Sequence, residues 1–332
     1  MRKENRIKRL SEIDIAIGIT TSLVIFGHMA FLNTGEIYWY SSLRTLIYKF
    51  HMNVFFFLTG ILFFYTKDID STSFSYSNFL LSKLKKFGPP YFFFALIFFI
   101  GEFIFSPDKN LFLEKQYGYI IIVLFKPINS YSTFLWFLHV LFIFYATIPL
   151  ALRLIKRNYR IIIIFFCYIL TFLPFPNFLS LRLYIKYLPW FLIGMVYVDY
   201  RQIIISNIKK FGKYFFLILI IIFITDYYLY DFSKIILSFV AIIVILWISL
   251  INNKFAYIFE KIGKNAFPIY LQNMTIVGII YLTLTRYYHF SVKDLQFFVP
   301  VFFIFSVLLP IFIKKIFQKK MKYLKAFLGY SI

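Results

Sequence analysis

Cysteine occurs once in the 332 residues, at Cys167, and with no second thiol there can be no intrachain disulfide and no Cys-x-x-Cys metal or redox motif. It lies inside an apolar run and reads as packing. Acidic residues are scarce too, 14 Asp and Glu against 36 Lys and Arg, for a net charge of +22. Such a surplus points to nucleic acid only where the basic residues gather on one face or in one tail, and here they are scattered between apolar runs. No internal repeat or linker divides the chain, and no Gly/Pro-interrupted pair of helices recurs in two halves, which counts against a repeat-built transporter. The basic start Met1–Leu10 leads into an apolar segment reaching about Phe31 without a small-residue cleavage site, so that segment reads as a retained first helix. Long polar stretches are missing as well. The longest, about 66–86 and 106–115, leave no room for a sizeable soluble domain.

What the chain has in excess is apolar: 61% of its residues are hydrophobic, more than a water-soluble chain of this length can hide. A lipid solvent accounts for it. The 48 Phe and 27 Tyr are also what an AT-rich genome would encode, so they are not read as a binding surface. A span needs roughly 20 mostly apolar residues, and ten such runs appear, at about 13–32, 47–65, 87–105, 132–151, 160–175, 183–199, 213–230, 235–251, 266–284 and 294–313. The stretch Tyr117–Phe125 is too short to cross and reads as a surface or re-entrant piece. Placing the N-terminus in the cytoplasm puts most of the 36 Lys and Arg in inner segments, as the positive-inside rule requires. The expected fold is therefore all-α: a polytopic membrane protein of about ten transmembrane helices with both termini cytoplasmic. It forms a single domain over 1–332 with a basic tail from about 314 that can touch anionic lipid.

Ionisable residues inside a bilayer are costly and mark functional candidates. His28 stands about 15 residues along the first helix, roughly 22 Å up at 1.5 Å per residue. His51 opens the second run and His139 lies in the fourth, so three histidines fall in the outer third of the membrane, while His289 falls in the last outer loop. Imidazole titrates near neutral pH and can move a proton there, although a structural bond to a neighbouring helix carbonyl explains a single histidine equally well. No metal is expected, because no His/carboxylate pair has ligand spacing. Glu12 and Asp14 mark the inner mouth of the first helix, where a carboxylate also suits the helix N-terminus; Glu102 and Asp226 approach the outer surface. Lys83, Lys85 and Lys86 precede Gly88-Pro89-Pro90, where a helix is expected to begin. These lysines either hold phosphates or form a plain positive-inside loop.

The first helix reads Asp14-Ile-Ala-Ile-Gly18 and ends Val24-Ile-Phe-Gly27-His28, and the second contains Phe50-His51-Met52-Asn53-Val54-Phe55-Phe56-Phe57-Leu58-Thr59-Gly60. Further blocks follow in order: Lys86-Phe-Gly-Pro-Pro90-Tyr91, Leu135-Trp136-Phe137-Leu138, Leu188-Pro-Trp-Phe-Leu-Ile-Gly194 and Gly263-Lys-Asn-Ala-Phe-Pro-Ile-Tyr270-Leu. Together they resemble the acyltransferase-3 family of integral membrane acyltransferases over nearly the whole chain. The resemblance implies transfer of an acyl group, usually acetyl from cytosolic acetyl-CoA or another acyl-CoA, to a hydroxyl of a sugar or cell-envelope glycan. It also implies a multi-pass place in the cell membrane, the inner membrane of a bacterium. Three positions depart from the family pattern. Ile17 occupies the place of a basic residue, Asn53 that of a proline, and Asn273 stands where many members have a histidine.

A sugar hydroxyl attacks a thioester only if some group takes its proton while charge develops on the carbonyl oxygen. His28 is the expected base or transient acyl carrier, with His51 orienting it or the acceptor. His139 and Asp14 are possible additional site residues, and Lys85 and Lys86 are expected phosphate contacts for the acyl-CoA. The partners are a glycan acceptor and membrane lipid, with no nucleic acid. Two other readings compete: a transporter or flippase for a glycan or lipid-linked intermediate, and an acyltransferase-like protein that has lost catalysis, to which Ile17 gives weight.

Overall fold

The computed structural model describes residues 9–29, 37–106, 109, 118–156, 159–225, 233–251, 254–285, 287–288, 291–320 and 324–330. His289 and Asp226 lie outside them, as does Lys322 of the basic tail. The described residues are helical, with no strand among them. In chain order the helices are α1 (Ser11–His28), α2 (Tyr38–Thr66), α3 (Tyr76–Phe105), α4 (Tyr119–Phe125), α5 (Trp136–Leu154), α6 (Arg160–Leu170) and α7 (Leu181–Asp199). They continue with α8 (Arg201–Thr225), α9 (Ser233–Leu250), α10 (Lys254–Lys264), α11 (Ala266–Thr285), α12 (Val292–Lys320) and α13 (Leu324–Phe327).

Five segments among the described residues are long and apolar enough to cross a membrane, in α2, α3, α5, α7 and α12, and a sixth if the bent pair α9 and α10 is one span. Hydropathy marks ten runs, of which 213–230 extends beyond the described residues. Helix α1 carries Glu12 and Asp14 in its first turn, α8 carries Lys209, Lys210 and Lys213, and α6 is only 11 residues long.

Packing divides the chain into two compact units, Met1–Lys67 with Trp190–Phe312, and Asp68–Pro189 with Ile313–Ile332. In the first unit α1 packs against α2, α9, α10 and α11. Its mid-helix polar residues are small hydroxyls, of which Thr20 and Ser22 bond to the carbonyls of Ala16 and Gly18 one turn earlier. Asp14 is 2% exposed and ion-paired with Arg9, while Glu12 is paired with Arg201.

The tightest approach is between α1 and α10. A Cβ on Gly18 would lie 1.9 Å from the Phe259 carbonyl oxygen, and one on Gly263 would lie 1.8 Å from that of Asp14. Both obstacles are backbone, so the helices themselves would have to separate. Small residues serve this purpose between membrane helices, where close backbone approach replaces the hydrophobic drive of water. Gly18→Val should therefore destabilise the protein by about 1–3 kcal/mol or more, read as a fall in the thermal midpoint of the purified chain in detergent. Gly101→Ala is the control, since nothing lies within 4 Å of a Cβ there.

In the second unit α3 packs on α5 and α13, and α4 and α5 both pack on the turn Phe178–Ser180. Helix α3 does not begin at Gly88-Pro89-Pro90, as expected from sequence, but runs through it from Tyr76, capped by Ser75, whose side chain accepts from the Asn78 N–H. Each proline removes one helical N–H, so the carbonyls of Lys85 and Lys86 lose their helical donors. Both residues are exposed. The short stretch around 117–125 forms α4, held where the Tyr91 hydroxyl donates to the Val123 carbonyl at 2.6 Å. Arg160, 7% exposed, meets Asp70 through two hydrogen bonds of 2.8 and 2.6 Å and also donates to the Leu152 carbonyl at 3.0 Å.

Candidate active site

His28 ends α1. The last carbonyls of a helix lack intrahelical donors, and here two tyrosines of α2 supply them. Tyr40 donates its hydroxyl to the carbonyl of Phe26 at 2.9 Å, and Tyr48 donates to that of Gly27 at 3.1 Å. Gly27 must be glycine for this to happen, because a Cβ would meet the Tyr48 ring at 2.5 Å. The Gly-His pair is thus a packing device that seats the end of α1 against α2.

The imidazole of His28 is held from the other side of the chain. Its Nδ1 lies 2.9 Å from Oδ1 of Asn273 on α11, a residue 245 positions away. Asn273 is fully buried, and its Nδ2 donates to the carbonyls of Ile269 and Tyr270 at 3.1 and 2.5 Å. Those two bonds fix which end of the amide is oxygen. Oδ1 can only accept, so Nδ1 of His28 carries the proton and Nε2 bears the lone pair. Ile25 on α1 and Met29 just after it, and Ile269 and Val277 one turn to either side of Asn273, belong to one buried cluster, which locks both helices around the pair.

His51 is 7% exposed and its Nδ1 lies 2.8 Å from the Ile47 carbonyl one turn earlier, which makes Nδ1 the donor there too. Its ring centre is 4.9 Å from that of Tyr48. Tyr48 therefore touches both His51 and the residue before His28, and joins the two expected histidines in one neighbourhood. Arg44, one turn earlier on α2, sets its guanidinium 4.9 Å from the Tyr48 ring centre.

His139 belongs to the second unit, with its own partner: its Nδ1 is 3.0 Å from Oγ of Ser180. Lys85 and Lys86 are exposed on α3, with the Lys86 ammonium 5.7 Å from the centre of the Phe87 ring. Among the described residues no three His, Cys, Asp or Glu side chains are grouped to hold a metal ion. An apolar cavity of about 340 Å³ in the first unit, lined by Phe57, Tyr197, Phe211, Phe239 and Leu246 among others, includes none of the expected site residues.

The three departures from the family pattern resolve differently. Ile17 is 6% exposed and packs as an apolar side chain, bringing no charge to the site. Asn53 donates to the Ser238 hydroxyl at 2.7 Å and so links α2 to α9. Asn273 is the partner of His28. Its importance was not readable from its own neighbourhood; the one signal was that it stands where relatives carry a histidine.

Comparison with curated proteins and with solved structures found no match. The family of proteins described as carrying an acyltransferase domain matches residues 10–315. That range takes in α1 through most of α12, with His28, His51, His139 and Asn273 all inside it, and the chain therefore belongs to the acyltransferase-3 family of membrane acyltransferases.

Proposed function

We propose that the protein is a membrane O-acyltransferase that transfers an acetyl group from cytosolic acetyl-CoA to a hydroxyl of a cell-envelope glycan. The observation that carries the reading is the His28–Asn273 hydrogen bond of 2.9 Å, which leaves Nε2 as the basic nitrogen of a positioned imidazole. The acceptor hydroxyl gives its proton to Nε2 while its oxygen attacks the thioester carbonyl. The C–S bond then breaks, and the departing thiolate takes the proton back from Nε2. The products are an ester and free CoA, and His28 returns to its starting state. Holding a base at hydrogen-bond distance from its proton contributes about 10²- to 10⁴-fold to such a step. His51, beside Tyr48, orients the acceptor. Lys85 and Lys86 are exposed cations suited to the phosphates of CoA.

The test is the ester content of surface glycans, by mass spectrometry before and after mild alkali, in wild-type, deletion and complemented strains. The reading expects one alkali-labile acetyl group to vanish in the deletion and return on complementation. Unchanged esters with reduced glycan export would replace it with the transporter reading.

A further inference from the structure

Outside the His28 neighbourhood, one pairing in the second unit combines a nucleophile, a base and a strained backbone. Leu179 and Ser180 have φ of 49° and 56°, and they are the only residues besides glycine with positive φ among those described. The left-handed region costs an ordinary residue on the order of 1–3 kcal/mol and persists only where the surroundings impose it. The surroundings are visible here. Phe178 stacks on Phe125 of α4 with ring centres 5.5 Å apart and planes 9° from parallel, the Ser180 N–H donates to the Asn177 carbonyl at 3.2 Å, and α7 begins immediately afterwards at Leu181. The result is a sharp turn into a helix that presents the Ser180 hydroxyl to His139 at 3.0 Å.

Serine is a weak nucleophile unless a base stands at its hydroxyl and something holds the base. His139 is in α5, half-buried, with the Tyr91 ring centre 6.4 Å away and the Leu124 carbonyl as a backbone acceptor beside it. Nδ1 stands at hydrogen-bond distance from the Ser180 hydroxyl, where it can accept that proton. An ordinary turn needs neither feature, since glycine or asparagine would take the same φ without strain.

We propose that Ser180 and His139 form a nucleophile–base pair that accepts an acyl group as a covalent ester on Ser180. In the step, His139 Nδ1 takes the hydroxyl proton and Ser180 Oγ bonds to the thioester carbonyl carbon. The C–S bond breaks, and the thiolate leaves with the proton returned by His139. Water then clears the ester by the same exchange: His139 Nδ1 takes a proton from water, the resulting hydroxide bonds to the acyl carbon, and the Ser180 oxygen leaves with that proton, releasing acetate in a reaction separate from the direct transfer at His28. This assignment rests on the acyltransferase reading for its donor, but an activated serine can be detected without one.

The experiment uses the full chain in detergent, a serine-directed fluorophosphonate, and acetyl-CoA carrying a deuterated acetyl group, with peptide mass spectrometry as the readout. Wild type should carry the phosphonate on Ser180 and, under excess deuterated acetyl-CoA, a hydroxylamine-labile deuterated acetyl there. His139→Gln should lower the labelling rate 100-fold or more, whereas His28→Ala should leave the phosphonate label in place. Ser180→Gly guards against misfolding, because glycine adopts a φ of 56° without penalty: it should melt no lower than wild type and lose both labels. Phosphonate on Ser180 without acetyl uptake would uphold the pair and sink the acetyl-CoA donor. Acetylated product with neither label on Ser180, or equal labelling in His139→Gln, would overturn the pair and leave the transferase reading standing.

Discussion

His28→Ala is expected to lower acyl transfer to the glycan by about 10²- to 10⁴-fold, the contribution of a positioned general base. The substitution also strips Asn273 of its partner. Oδ1 of Asn273 is then buried with no hydrogen-bond donor, at a cost of about 1–3 kcal/mol, so part of any loss in cells would reflect less folded protein. Two measurements separate the effects. Turnover is read per folded molecule in the purified chain, with deuterated acetyl-CoA and glycan extracted from the deletion strain. The double variant His28→Ala/Asn273→Leu is the companion, because it removes both polar partners at once and should melt higher than the single variant while remaining as inactive. Transfer within threefold of wild type in folded His28→Ala would remove His28 as the base. The same assay addresses Ile17. Wild-type turnover with a buried isoleucine at that position would establish that a basic residue at position 17 is dispensable.

Much of the fold was legible because it depends on composition and local pattern. Apolar runs bounded by basic clusters gave helices nearly where they occur, and the cost of an ionisable residue in a bilayer brought His28 and His51 to notice before the family blocks did. What failed was more specific. Gly88-Pro89-Pro90 reads as a helix start by its local chemistry, yet α3 runs through it, since packing on α5 and α13 can override two missing N–H donors. The count of ten runs is larger than the five or six segments that the described residues offer as spans, and α1 and α8 carry charges near their starts. Shared depth put three histidines in the outer third of the membrane; His51 and the residue before His28 meet Tyr48 in the first unit, and His139 meets Ser180 in the second. Leu179 and Ser180 carried no warning at all. Left-handed backbone is announced in sequence by glycine or asparagine, and a strained leucine and serine are invisible until φ is known.

Asn273→Leu should reduce turnover by about 10- to 100-fold, the usual loss when a residue that orients a catalytic or ligating histidine is removed. Leucine fills the space but accepts no hydrogen bond, so the ring of His28 can turn and its proton can sit on either nitrogen. The base is then present but correctly poised only part of the time. Because the contact acts on His28 and not on substrate, the loss should appear in kcat with KM for acetyl-CoA little changed. Asn273→Asp keeps an oxygen at the same point and should retain most of the turnover that leucine loses, which a purely space-filling role for Asn273 would not produce. Asn273→His restores the residue common among relatives. Imidazole can accept from Nδ1 of His28 only through a lone-pair nitrogen, so its turnover should lie between those of aspartate and leucine. If the leucine and aspartate variants are equally impaired and equally destabilised, Asn273 is a packing residue and the tautomer of His28 is set by something else. If leucine alone fails, and fails in kcat, then the position that departs from the family pattern is what makes His28 a base in this chain.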